Sequence, residues 1–171
     1  MPASKKTATR QADSRTSPRA VRAAKASDAI ALLKADHKAV DALFADYAKT
    51  RTASRKKALV QQICIALTVH AQVEEEIFYP AVKAALKDRK LVPEAVVEQA
   101  TMKALIGQLE GVEPDGEMYD AKVMVLAEYV KHHVKEEHGE LFPKAKATRL
   151  DMVALGAQLA SRKAELMAAS S

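Results

Sequence analysis

The sequence has no tryptophan, a single cysteine, five glycines and six prolines in 171 residues, and aromatic residues make up only 4% of it. One cysteine, Cys64, excludes an intramolecular disulfide framework and a cysteine-built zinc finger, and it suits a reducing, cytoplasmic setting. Scarce glycine and proline argue against a turn-rich β architecture. No apolar run approaches the roughly 18–20 residues of a membrane span, and the first residues lack the apolar stretch of a secretory signal. A glycine-rich phosphate loop, a dinucleotide fingerprint and a Ser–His–acid order are also missing, which leaves nucleotide and hydrolytic chemistry without support.

What is present is helix-forming and charged: 49% hydrophobic residues, rich in Ala and Leu, with 29% charged. The net charge of +5 is unevenly placed. Residues 1–26 hold seven bases (Lys5, Lys6, Arg10, Arg15, Arg19, Arg22, Lys25) and one acid, Asp13; the remainder holds 20 bases against 21 acids. With six Ser or Thr, no aromatic and Val21 as its only branched aliphatic residue, the basic segment cannot offset its ordering entropy by burial. It reads as a disordered tail, either solubilising or available to nucleic acid or another anionic surface. Residues 27–171 read as the folded domain.

Helical periodicity begins at Ser27, a candidate N-cap, and continues to about Lys49 with Ile30, Leu33, His37, Val40, Phe44 and Tyr47 on one stripe. A second helix is expected from about Ser54 to Lys87, with Val60, Ile63, Leu67, His70, Glu74 and Ile77 facing inward. Pro93 suits the first position of a third helix ending near Glu110, whose inward residues are Val92, Val96, Gln99, Met102, Ile106 and Leu109. Pro114-Asp115-Gly116 marks a turn. A fourth helix from Glu117 presents Tyr119, Val123, Leu126, Val130, His133, Glu137 and Leu141. A shorter segment, Arg149 to Leu166, is expected to pack outside. Short links imply an all-α, up-down-up-down antiparallel four-helix bundle with an extra C-terminal helix.

The stripes carry polar groups at mid-length: His37, then His70 with Glu74, Gln99, and His133 with Glu137. Burying such groups costs several kcal/mol, in order of magnitude, unless they are paired or hold a metal. His70 and Glu74 are four residues apart, as are His133 and Glu137, so each pair shares one helix face. Imidazoles and carboxylates without a thiolate suit iron first, with manganese and zinc as alternatives. His132 and His138 fall off the stripe, beside Glu136 and Glu140, and read as solvated surface. A register slip of one residue would substitute His132 and Glu136 for His133 and Glu137.

The two His–Glu segments are also a repeat. HAQVEEEIFYP and HVKEEHGELFP each run from a histidine through an acidic cluster and an aromatic to a proline ten residues on, Pro80 and Pro143. Each proline should kink or end its helix beyond the site. Two similar helix pairs imply a pseudo-twofold bundle around a central site.

With ADHKAV around His37, TVHAQVEEEIFYP and YVKHHVKEEHGELFP, residues 27–166 resemble the hemerythrin-type, or HHE cation-binding, family. The resemblance implies a non-haem di-iron centre in which His37 and His70 hold one iron, His133 helps to hold the other, and Glu74 and Glu137 bridge both. The sequence departs from the family at EQATMKALI. Gln99 stands where a histidine is usual, with Lys103 four residues on, so the complement of the second iron is reduced and one-ion, two-ion and decayed centres all stay open. The implied role is binding or sensing of dioxygen or a similar small molecule, or iron handling, rather than turnover. An oxidase or peroxidase using the same centre, and a nucleic-acid-associated stress protein using the tail, are the alternatives.

Overall fold

A computed structural model describes residues 27–170, and the expected basic tail, residues 1–26, lies outside the described residues. The elements are α1 (Ala29–Lys49), α2 (Ala53–Val73), a π-helical turn (Glu74–Phe78), α3 (Tyr79–Ala85), α4 (Leu91–Leu109), α5 (Glu117–Glu136), a second π-helical turn (Glu137–Leu141), α6 (Phe142–Lys146) and α7 (Met152–Ala169). The second and fourth expected helices are thus each one continuous rod with a π turn near its end. α1 packs against α2, α4 against α5 and α2 against α4, while α7 lies across α1, α2 and the first π turn. This is the helical bundle with an added C-terminal helix that the periodicity implies. Among the described residues no helix is long and apolar enough to cross a membrane.

Several ends differ from expectation for local reasons. Asp28, not Ser27, caps α1, its carboxylate accepting from Ala31 N at 2.8 Å. The second helix starts at Ala53, after Thr52, so Ser54 already lies inside it. α4 begins at Leu91, which places Pro93 at its third residue; that position still lies in the first turn, where a missing N–H costs nothing. Asp151 caps α7 by accepting from Val153 N and Ala154 N. On α4 the inward stripe passes through Ala95 rather than Val96, which is 40% exposed, because Ala95 is the residue four before Gln99.

The prolines do not end their rods: helix runs on through Pro80 and Pro143, each preceded by a π turn. A proline at position i cannot donate to the carbonyl of i−4 and its ring crowds that group. Immediately before Pro80 and Pro143 the helix widens, with Tyr79 N–H bonding Glu74 O and Phe142 N–H bonding Glu137 O. The wider turn moves the crowded carbonyls aside and lets the helix run on through the proline.

Candidate metal centre

The buried residues form two apolar clusters, one around Leu33, Phe78, Tyr79 and Phe142 and one around Val40, Ile63, Ile106 and Leu126. Between them lies a polar layer: His37, His70, Glu74, Gln99, His133 and Glu137 are all buried. All five residues expected to face a cation therefore point inward. His133 is buried whereas the His132 side chain is 60% exposed, so the register places His133 in the layer.

Ligand-type atoms of His37, His70, Glu74 and Glu137 lie within 4.8 Å of one another. His37 Nε2 and His70 Nε2 are 2.9 Å apart. His37 Nε2 is 3.2 Å from Glu137 Oε2, and His70 Nε2 is 3.3 Å from Glu74 Oε1. His133 lies outside this quartet. Its Nε2 is 3.6 Å from Glu137 Oε1 and 3.3 Å from the Tyr79 hydroxyl. Tyr79 is a member of the layer that the spacing did not single out. Its hydroxyl donates to Glu137 Oε1 at 2.8 Å and lies 3.1 Å from Glu74 Oε2. Gln99 Nε2 donates to Glu74 Oε2 at 2.5 Å and to the Tyr79 oxygen at 3.0 Å. Gln99 thus presents its amide N–H groups to the site, and its own Oε1 is buried without a partner. Lys103 does not face the layer; it pairs with Glu75 at the surface.

The outer ring nitrogens are held too. His70 Nδ1 faces Asp36 Oδ2 at 3.3 Å, and His133 Nδ1 faces Glu98 Oε2 at 2.6 Å. An ionised carboxylate only accepts, so each Nδ1 carries a proton and Nε2 is the nitrogen each ring turns inward. Asp36 is itself paired with Lys163 of α7. His37 Nδ1 lies 2.8 Å from His138 Nε2, so His138, expected on the solvated surface, is half-buried and braces the layer. The sequence did contain a signal for two of these partners. Asp36 immediately precedes His37, and Glu98 immediately precedes Gln99.

These groups fit a cation better than they fit one another. His37 Nε2 and His70 Nε2 confront each other at 2.9 Å, a contact that needs a proton on one of them or a cation held by both. Glu74 Oε1 and Glu137 Oε2 are buried without a hydrogen-bond partner. Orphaned acceptors cost about 1–3 kcal/mol each, more when charged, and a positive ion answers all four atoms together. Without one, protons must serve. Burial, and then the Glu137 charge, raises the Glu74 pKa. Burial acts the same way on Glu137, but His37, 3.2 Å from its Oε2, and the neighbouring imidazoles outweigh it and hold that group down to about 2. His70 is pushed up to about 10: burial opposes its charge, and Glu74 and Asp36 prevail. Burial and the two carboxylates hold the Tyr79 phenol well above its ordinary value. A cation between the carboxylates would displace these protons.

Comparison with known proteins points the same way. The sequence matches the Hemerythrin HHE cation binding domain over residues 28–145. It is similar to a hemerythrin HHE cation binding domain-containing protein of Mycobacterium kansasii, whose crystal structure superposes with a TM-score of 0.72 at 22% identity, covering 84% of this chain and 89% of that one. It is also 31% identical over 111 residues to a DNA nickase of Nostoc sp., a match that takes in 65% of this chain and 31% of the nickase.

Proposed function

Since the chain belongs to the hemerythrin HHE cation-binding family, we propose that it is a non-haem iron protein that binds or senses dioxygen or a molecule of that size. Residues 27–171 would be the working unit, with His37, His70, Glu74, His133 and Glu137 as ligands. The observation that carries this is the confrontation of two inward imidazole nitrogens with two unpartnered carboxylate oxygens in a buried layer. Beside that layer lies a cavity of ≈ 20 Å³, walled by Val40, Leu67, Met102, Ile106 and Val130. Space for about one water suits a two-atom ligand.

The chain's own contribution is orientation and exclusion. Asp36 and Glu98 hold the Nδ1 atoms of His70 and His133, so that Nε2 is the nitrogen each ring turns inward and the one a cation would take. Glu74 turns Oε1 to His70 and Oε2 to Tyr79, and Glu137 turns Oε2 to His37 and Oε1 to Tyr79 and His133. The aliphatic wall keeps bulk water from the layer and limits side reactions. Iron, when bound, supplies an exchangeable coordination position and a one-electron couple. Reconstitution with ferrous iron under anaerobic conditions, followed by elemental analysis, tests the reading. Wild-type protein is expected to retain iron and to melt higher when loaded, and His70→Ala to lose most of both gains. Wild-type protein that stays empty refutes it.

One observation favours a second reading, in which the protein acts beside DNA: the relative of Nostoc is named a DNA nickase. The seven bases of residues 1–26 supply the charge for phosphate contact. DNA affinity that falls steeply with salt, and vanishes when residues 1–26 are deleted, is the expected result; salt-insensitive or absent binding removes this reading.

A further inference from the structure

The two halves of the polar layer are related position by position. His70 and Glu74 correspond to His133 and Glu137, Pro80 to Pro143, and, nine residues after each histidine, Tyr79 to Phe142. The outer partners follow the same rule. Asp36 on His70 precedes His37, and Glu98 on His133 precedes Gln99, so Gln99 is the counterpart of His37. The halves therefore differ in two matched places. Where α1 supplies an imidazole, the corresponding aromatic is Phe142, which stacks on His37 with ring centroids 5.9 Å apart and planes 6° apart. Where α4 supplies an amide, the aromatic carries a hydroxyl, and that hydroxyl reaches the layer.

The spacing around that hydroxyl repeats the spacing in the other half. Ligand bonds of about 2.1 Å place adjacent ligand atoms about 3 Å apart. In the first half His37 Nε2 lies 2.9 Å from His70 Nε2 and 3.2 Å from Glu137 Oε2. In the second, the Tyr79 oxygen lies 2.8 Å from Glu137 Oε1, 3.1 Å from Glu74 Oε2 and 3.3 Å from His133 Nε2. Three acceptors surround one phenolic proton, which can serve only one of them fully.

We infer that the Tyr79 oxygen is a ligand of a second ion, standing where the other half has His37 and sharing that ion with His133, Glu74 Oε2 and Glu137 Oε1. The inference rests on the metal-binding reading above. Binding exchanges the phenolic proton for the cation, the proton leaving to solvent, with no electron transferred. Gln99 is then a positioning residue: its amide donates to both the Tyr79 and the Glu74 oxygens and steadies their negative charge.

Iron loading of the full chain, read by elemental analysis and visible absorption after oxidation, tests the inference. Wild-type protein is expected to hold two irons per chain and to show a phenolate-to-ferric charge-transfer band. Tyr79→Phe, which copies Phe142, should fold with unchanged circular dichroism, hold one iron and lose the band. Adding Gln99→His to Tyr79→Phe should restore the second iron without the band. Wild-type protein with two irons and no band, with one iron only, or with a band that survives Tyr79→Phe overturns the inference while leaving iron binding intact. Protein that takes up no iron instead fails the functional reading, and the inference falls with it. Should Tyr79→Phe not fold, resonance Raman of loaded wild-type protein reads the phenolate modes directly, and their absence is decisive against it.

Discussion

The two ends of the bundle, on either side of the polar layer, are built differently. The end that contains the π turns is aromatic and closed: Phe78, Tyr79 and Phe142 pack edge and face, and α7 lies over them. The α7 seat is tight. A Cβ on Gly156 would come within 2.9 Å of Ala29 N, at the start of α1. The other end holds Tyr47 and Tyr119 as well, but the residues it sets around the cavity beside the layer, Val40, Leu67, Met102, Ile106 and Val130, carry no rings. Aromatic rings and a covering helix hold the ligand-type groups in place from one side. Flexible aliphatic side chains leave room for a small molecule on the other. Rigidity and access are thus assigned to opposite ends of the same four rods.

The largest expected effect tests the closed end. Phe142→Ala removes a fully buried ring that stacks on His37, and should cost about 3–5 kcal/mol in denaturant unfolding of the metal-free protein. A loss below about 1 kcal/mol would mean that the aromatic end does not brace the layer. The second effect lies in the layer itself. His70 has a raised folded pKa of about 10 against an ordinary 6.5, so its folded state binds a proton more tightly than its unfolded state. That stabilisation is complete below about pH 6.5 and disappears as the pH rises through about 10. Metal-free protein should therefore unfold at progressively lower denaturant concentration across that window, and His70→Ala should flatten the trend. The smallest effect tests the open end. Ile106→Val trims the cavity wall and should cost only about 0.5–1.5 kcal/mol, with iron content unchanged. A cost as large as that of Phe142→Ala would erase the distinction between the ends.

Much of this was legible in the residues. The 3–4 periodicity places Leu33, His37 and Val40, or Leu67 and His70, on buried faces without further information, because an amphipathic helix turns its apolar stripe to the core. The same logic brings His37, His70, Glu74, His133 and Glu137 to one level. Their neighbours were not legible in that way. Asp36 and Glu98 sit one residue off the stripe and reach a histidine on the next helix, a relation between helices rather than within one. His138 lies inside the second π turn and Tyr79 directly follows the first, where a constant 3.6-residue count no longer gives the face. Gln99 could be placed in the layer but not oriented, since only its surroundings decide which end of an amide faces a carboxylate.

The pitch change has a consequence for the length of the chain itself. A π turn holds one residue more than the α turn it replaces, so each of the two rods carries, in effect, a spare residue between its carboxylate and its proline. Wound instead as unbroken α-helix with every residue kept, the first rod would swing everything after the turn by about 100° relative to the layer. The phenol would leave the centre, although every amino acid that touches the centre would still be in the sequence. The spare residue, which contributes no atom to the buried layer, sets the phase on which the layer's composition depends.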